Sequence, residues 1–165
     1  MKKMNGKKGT TLVEVMIVVA ILGVVFAVAP RIIMSATQFY RLNTARVETQ
    51  RAARDTLSQV NRSLRQALTS SITISQVTGQ PPCSLISFTT VDGRLLKFFQ
   101  QNNELMYLVN TSTNVLAQNL RYIAFTHPRT DDPDIVSVSV TFEKATYQGG
   151  TKALQMAIEK VRIMN

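Results

Sequence analysis

Residues 7–30, KKGTTLVEVMIVVAILGVVFAVAP, constrain the fold of this chain more than any other part of its sequence. Fifteen apolar residues run without a break from Val15 to Ala29, and extending the run back to Leu12 gives eighteen positions with one charge, Glu14. A helix of about 20 such residues spans a bilayer, so the run predicts a membrane-crossing helix. An acid at the centre of such a helix costs about 2.5–3.5 kcal/mol, which makes Glu14 a candidate functional residue.

The charges around the apolar run predict its orientation. Lysines at positions 2, 3, 7 and 8 precede the run, and Arg31 follows it, so the positive-inside rule places the N-terminus in the cytoplasm and the chain beyond Pro30 outside the inner leaflet. The same lysines supply four of the nineteen basic residues behind the net charge of +9, and without them the chain is mildly basic. Cys83 is the single cysteine and cannot close an intrachain disulfide, so an exported domain must be held together by its core.

Two simpler interpretations of the run remain open from these residues. A secretory signal would have the basic start, the apolar stretch and a small-residue cleavage site at 27–29. Glu14 is costly inside such a stretch, and Pro30 after the cut is a poor extended protease substrate. A plain single-pass anchor accounts for the length of the run but gives Glu14 no purpose.

The motif Gly9-Thr10-Thr11-Leu12-Val13-Glu14 joins the lysine-rich leader to the apolar run. It resembles the prepilin signal of type IV pilins and type II secretion pseudopilins, whose membrane peptidase cuts after the glycine and methylates the new N-terminus. The resemblance implies a cleaved leader over residues 1–9, cleavage after Gly9 by prepilin peptidase, and Thr10 as the N-methylated first mature residue. The family usually has phenylalanine at that first position, so Thr10 is a departure.

The resemblance also gives Glu14 a role. It would be the fifth residue of the mature chain, and in pilin filaments the carboxylate at that position is thought to meet the N-terminal amine of a neighbouring subunit. The amine is a cation at neutral pH, and at about 4 Å with an effective dielectric near 20 the attraction is about 4 kcal/mol. Glu14 is therefore interpreted as the residue that sets the assembly register.

Gly23 and Pro30 have low helix propensity and lie within the predicted apolar helix. Glycine costs about 1 kcal/mol inside a helix and proline about 3 kcal/mol. Pilins have a glycine and a proline near these positions, and the stretch between them can unwind in assembled filaments. Gly23 and Pro30 are therefore candidate helix-break positions, within a predicted membrane or filament-core helix over residues 10–30.

Residues 31–70 predict the second, amphipathic half of the same helix. Residues 31–68 contain no glycine and no proline, and seven apolar residues share one side of the helical wheel: Phe39, Leu42, Ala53, Leu57, Val60, Leu64 and Leu68. The polar sequence Thr69-Ser70-Ser71 is expected to end the helix. The other side of the wheel carries four arginines: Arg51, Arg54, Arg62 and Arg65. No aromatic residues interleave with them to stack bases, so nucleic acid is disfavoured as a partner and acidic residues of another pilin are favoured.

Residues 71–165 predict a β-rich globular head. Short runs of β-branched and aromatic residues alternate with turn signals, and the predicted strands are Ile72–Ser75, Ser84–Val91, Arg94–Gln100, Leu105–Val109, Leu120–Thr126, Ile135–Phe142 and Leu154–Met164. Turns are expected at Asp92-Gly93, Asn102-Asn103, 110–114 and Gly149-Gly150. The fold class is α+β, a pilin-like lollipop in which one long helix packs against an antiparallel sheet.

Catalytic and metal-binding patterns are weak in this sequence. His127 is the single histidine, and the sequence has no Gly-rich phosphate loop, Walker pattern or CxxC. Asp131, Asp132 and Asp134 form an acidic loop and are weak calcium candidates, but the glycine and distant glutamate of an EF-hand are missing. The sequence predicts no enzyme and no cofactor.

The predicted function is that of a minor pilin-like structural subunit. The order of parts in the head is most similar to W-type minor pilins and J-type pseudopilins, which initiate, cap or build a type IV pilus or type II secretion pseudopilus. Its expected partners are prepilin peptidase, other pilin or pseudopilin subunits, and membrane lipid before assembly. The protein is expected in the inner membrane with a periplasmic head, and then in the filament. The alternative is a pilin-delivered binding module, an adhesin or DNA-uptake receptor.

Overall fold

The computed structural model describes residues 11–146 and 152–164. Within these ranges the elements are α1 (Leu12–Leu64), a 3-10 helix (Thr69–Ser71), β1 (Thr73–Ser75), β2 (Leu85–Thr89), β3 (Leu95–Gln101), β4 (Glu104–Val109), β5 (Ser112–Gln118), β6 (Leu120–Thr126), β7 (Ile135–Ala145) and β8 (Lys152–Arg162). The chain divides into two units, residues 1–40 and 41–165. The leader over residues 1–9, Thr10 and the Gly149-Gly150 turn lie outside the described residues.

The first unit contains residues 12–40 of α1, and its apolar side chains are exposed on every side of the helix. The most apolar 18-residue window has a mean hydropathy of 2.9, and none of it is buried in protein. This part of α1 is long and apolar enough to cross a membrane. The helix is continuous through Gly23 and Pro30. The predicted helix break concerns assembled filaments, so for these two residues it stays a prediction.

In the second unit, α1 buries one face against the sheets. Its buried residues recur every three or four positions, as expected for an amphipathic helix: Ala45, Thr49, Ala53, Thr56, Leu57, Val60, Asn61 and Leu64. Polar residues lie within this face, and Thr49 Oγ1 donates to the carbonyls of Ala45 and Arg46 at 3.0 and 2.9 Å. The helix itself therefore satisfies a hydroxyl that would otherwise be costly to bury.

The helix ends at Leu64, earlier than the predicted end at Thr69-Ser71. Residues 66–68 leave the helix to pair with the end of β2, since Leu68 N donates to Thr89 O at 2.9 Å and Val91 N donates to Gln66 O at 3.0 Å. Leu68, predicted to continue the apolar stripe, is consequently exposed. Strand pairing with a distant part of the chain overrides the local helical pattern here.

The strands form two antiparallel sheets. The first has the order β1-β2-β3-β4-β5 and the second has the order β6-β7-β8. Their inner faces and α1 enclose a core whose largest fully buried side chains are Phe88, Phe98, Phe125, Phe142 and Leu64. The long helix against antiparallel sheets confirms the α+β prediction, with two sheets where one was expected.

Two turns differ from their predictions. The Asp92-Gly93 hairpin forms, but Thr90 pairs with Arg94 and the loop has three residues, because Gly93 N donates to Thr90 O and Gly93 takes the left-handed conformation at φ 75°. This is the three-residue hairpin in which glycine supplies the positive φ. Residues 110–114, predicted as a turn, instead turn at Asn110 and start β5 at Ser112. The first three residues of this outer strand, Ser112 to Asn114, are polar and exposed, so the apolar pattern does not predict its start.

Candidate functional site

Glu14 lies in the first turn of α1, where Thr11 precedes the first helical residue. Thr11 N donates to Glu14 Oε2 at 2.9 Å, and Glu14 N donates to Thr11 Oγ1 at 3.3 Å. This reciprocal pair is a capping box, which satisfies two of the backbone N–H groups that a helix start leaves without partners. Glu14 therefore has a structural role within its own chain.

The capping box is compatible with a second partner for Glu14. A carboxylate has two oxygens and about four acceptor sites. From the residues that the structure describes, only Thr11 donates to this carboxylate, through Oε2. The pattern Thr-x-x-Glu before an apolar run is itself a sequence signal for a capping box, so this role could have been found from the sequence.

The remaining predicted site residues do not come together. Gly9 and Thr10 lie outside the described residues. Gly23 faces open space in the first unit, with no atom within 4 Å of an added Cβ. In the acidic loop, Asp134 N donates to Asp132 Oδ1 at 3.2 Å. Among residues 11–146 and 152–164, no group of three His, Cys, Asp or Glu side chains could hold a metal ion.

The arginines of the second unit border a cleft that sequence analysis did not identify. The cleft lies between α1 and β8, has a volume of about 420 Å³, and is lined by Arg54, Leu57, Ser58, Asn61, Arg62, Arg65 and Glu159. The helical residues recur at intervals of three or four positions and so share one face of α1. Three guanidinium groups and one carboxylate give the cleft an excess of positive charge.

Three side chains of this cleft have a polar group without a partner in the described part of the protein. Arg54 and Arg62 make none of the ion pairs found among these residues. Asn61 is only 6% exposed, and its Oδ1 accepts no hydrogen bond. A buried amide oxygen without a donor is costly, and each such group in a folded protein calls for an explanation. The exposed guanidinium groups of Arg54 and Arg62 make the cleft a candidate binding site for an acidic group.

Ion pairs connect the elements around the second sheet. Glu143 on β7 forms ion pairs with Arg121 of β6, at 2.7 Å, and with Lys152 of β8. Lys144, also on β7, forms an ion pair with Glu48 of α1. The pKa of Glu143 is lowered below its ordinary value of 4.5, mainly by the hydrogen bond from Lys152. Desolvation partly opposes this shift, and the charge of Arg121 also lowers the pKa.

We expect Glu143→Gln to lower the melting temperature more at pH 7 than at pH 3. Because the folded state lowers the pKa of this carboxyl, the ion pairs stabilise the fold above pH 4.5, and that stabilisation is lost as the pH falls through the lowered value. The pair is partly exposed, so a shift of a few degrees is expected. Thermal unfolding followed by circular dichroism measures it.

Glu104→Gln is the matched control, because Glu104 on β4 makes no ion pair with any described residue. It should leave the melting temperature nearly unchanged at both pH values. An equal effect of Glu143→Gln at pH 3 and pH 7 would contradict the assignment of the stabilisation to the charged carboxylate.

Residues 4–30 match the family described as the prokaryotic N-terminal methylation motif. The match covers the leader from Met4 onward, the GTTLVE motif and the apolar run. It supports a type IV pilin or pseudopilin-like subunit that prepilin peptidase processes and that assembles with other pilins, and it points to a structural subunit rather than an enzyme. Neither the curated proteins nor the solved structures contain a match to this chain.

Proposed function

We propose that this protein is a minor pilin-like subunit that helps initiate, cap or build a type IV pilus or type II secretion pseudopilus. The observation that carries this proposal is the apolar surface of α1 over residues 12–29, which the described part of the protein does not bury. At about 25 cal/mol per Å², such a surface is stable only in lipid or against other apolar helices. A membrane-held subunit that passes into a filament core meets both environments in turn.

The processing and assembly residues follow from the prepilin motif. Prepilin peptidase would cut after Gly9 on the cytoplasmic side and methylate Thr10. The head would lie in the periplasm while α1 crosses the inner membrane. Glu14 would then pair with the N-terminal amine of a neighbouring subunit, and Gly23 and Pro30 would mark the stretch of helix that unwinds on assembly.

The minor role and the W-type or J-type character have architectural support. The head consists of a helix, two antiparallel sheets and a final long strand, β8, in the order expected for these subunits. Cys83 is a free cysteine, so the disulfide-closed C-terminal loop frequent in major pilins cannot form.

A second candidate is a pilin-delivered binding module. The cationic cleft between α1 and β8 favours a ligand for the head. The two functions separate in the variant Arg54→Glu/Arg62→Glu. Both kinds of protein would still enter filaments in this variant, but a structural subunit would keep its full function, whereas a binding module would lose the binding of its ligand.

Mass spectrometry of the mature N-terminus tests the proposed processing. We expect a chain that begins with N-methylthreonine at residue 10 in membranes and in sheared filaments. Gly9→Leu should retain the leader, because the family's peptidase cuts after that glycine. Gly6→Leu changes another leader glycine and should be processed normally. A mature chain that begins at Met1 or at Pro30 would instead identify a plain anchor or a secreted product and refute the proposal.

A further inference from the structure

β8 differs from the other outer strands of the two sheets. It is 11 residues long, contains no proline, and pairs with β7 in one unbroken register from Ile135–Arg162 to Ala145–Lys152. By contrast, β1 has three residues, and β5 and β6 each pair with their neighbouring strand through an irregular register. Outer strands are usually shortened, bulged or interrupted because their free backbone groups can pair with another chain. In the described part of the protein, β8 has none of these protections.

One side of β8 carries an exposed apolar row. Leu154, Met156 and Ile158 are 53%, 58% and 61% exposed, and their alternate spacing puts them on the same face of the strand. Their cross-strand neighbours on β7 are Glu143, Thr141 and Ser139, which leave the row uncovered. Apolar residues at these positions contribute nothing to the core, so their burial requires another molecule.

The other side of β8 borders the cationic cleft. Glu159 lies on the opposite face from the apolar row, by the alternation of the strand, and lines the cleft together with Arg54, Asn61 and Arg62. A strand added beside β8 would therefore place alternate side chains against the apolar row and in the cleft. The free edge, the apolar row and the cleft together form one surface, which we call the β8 edge.

We propose that the β8 edge is a docking site for an extended, acidic strand of a partner protein. The partner strand would add to the second sheet through main-chain hydrogen bonds with β8, the mode known as β-augmentation. Its acidic side chains would pair with Arg54 and Arg62, and its apolar side chains would cover Met156 and its neighbours. Such docking goes beyond filament building and does not depend on it.

The charge of the β8 edge selects an acidic partner over a second copy of this chain. The strand contributes Lys160 and Arg162 against one acid, Glu159, while Lys152 is paired with Glu143, and α1 adds the guanidinium groups that line the cleft. Pairing of two β8 edges would bring together two surfaces with the same excess of positive charge. Like charges across an interface disfavour association, whereas an acidic strand complements this charge.

A designed peptide tests this proposal with the full chain in detergent micelles. The probe is a capped nine-residue peptide of alternating Glu and Val, and its matched control alternates Lys and Val. Binding is measured by fluorescence anisotropy, and the docking position is measured by amide hydrogen exchange. We expect the acidic peptide to bind and to slow exchange within residues 152–162, while the basic peptide does neither.

Charge and apolar variants locate the two sides of the site. Arg54→Glu/Arg62→Glu should weaken binding about tenfold or more, and Met156→Lys should weaken it several-fold. The charge-matched control Arg46→Glu/Arg129→Glu and the surface control Val91→Lys, all at exposed positions of the second unit, should bind as the unaltered chain does. All variants change exposed side chains, and their melting temperatures verify folding.

Three results would overturn the proposal. The first is that the acidic peptide does not bind. The second is that the peptide binds but leaves amide hydrogen exchange in β8 unchanged, which would show that it is attracted to the basic surface by charge without pairing with the strand. The third is equal protection of β8 by a single-stranded oligonucleotide, which would make the surface a nucleic-acid site. Because the peptide assay needs no filament, its failure and a failure of the filament function are distinguishable.

Discussion

Glu14→Leu is expected to abolish entry of the subunit into filaments while export and leader cleavage continue. In the proposed assembly, Glu14 balances the N-terminal ammonium of a neighbouring subunit inside apolar surroundings. Loss of about 4 kcal/mol of attraction corresponds to a reduction of roughly a hundredfold or more in incorporation. The amount of the subunit in sheared filaments, relative to the amount in membranes, measures this effect.

Glu14 both closes the capping box and carries the charge of the proposed ion pair, so a test of assembly must remove these two roles separately. Glutamine also closes a capping box, because its side chain accepts the same backbone hydrogen bond. Glu14→Gln therefore keeps the cap and removes the charge. Thr11→Ala does the reverse, since it removes the hydroxyl from the cap at a cost of about 1 kcal/mol and leaves the carboxylate in place.

The expected pattern is that Glu14→Gln fails as Glu14→Leu does, whereas Thr11→Ala assembles nearly as the unaltered chain. Normal incorporation of Glu14→Gln would show that the cap, not the charge, is what assembly needs. A severe defect in Thr11→Ala with intact cleavage would lead to the same conclusion. Either result would remove the ion pair from the proposed assembly mechanism.

Periodic, local patterns made much of the fold predictable. The apolar run with its lysine-rich start predicted the exposed first part of α1, and the strand Leu120–Thr126 has the bounds expected from its β-branched and aromatic content. β7 contains the alternation seen in Ile135–Phe142 and continues to Ala145. In these segments the side-chain pattern and the tertiary packing favour the same structure.

The differences arose where distant contacts decide the local structure. The end of α1 depends on pairing of residues 66–68 with the end of β2, which no helical pattern reports. β5 is an outer strand whose first three residues are polar and exposed, and only Leu116 and Ala117 pack against the core, so its apolar pattern is too short to indicate a strand. Thr49 is buried in a helix face because its hydroxyl bonds the preceding turn, and hydropathy alone ranks it as a surface residue.

The candidate sites were predictable to different extents. The sequence placed the arginines on one face of α1, but the cleft also needs Glu159, which the fold brings from a strand almost a hundred positions later. The burial of Asn61 without a partner for Oδ1 is a property of the packed head alone. By contrast, both the proposed assembly role of Glu14 and its role in the capping box can be inferred from the local sequence motif.

Gln100→Leu is expected to destabilise the head strongly, because the Gln100 side chain forms hydrogen bonds between the two sheets. Gln100 is 3% exposed and lies at the end of β3, where its side chain reaches β6 of the second sheet. Nε2 donates to Arg121 O at 3.1 Å, and Oε1 accepts from Ile123 N at 3.2 Å. The side-chain amide thus acts as a peptide group would in a neighbouring strand.

Leucine fills a similar volume but leaves the backbone groups of β6 without partners. An unsatisfied buried donor or acceptor costs about 1–3 kcal/mol, so the loss of both should cost about 3 kcal/mol. For a head of this size that corresponds to a decrease in melting temperature on the order of 10 °C. Circular dichroism of the strand signal during heating measures it.

Gln101→Leu is the matched control, because Gln101 follows on the same strand with its side chain exposed. It should change the melting temperature by about a degree or less, since surface substitutions are usually near neutral. Hydrogen exchange separates a specific loss from general loosening. If Gln100 joins the two sheets, the Ile123 amide exchanges faster in Gln100→Leu while amides in the β2–β3 pair keep their protection. Equal melting temperatures of the two variants would show that apolar packing alone holds β6 against the first sheet.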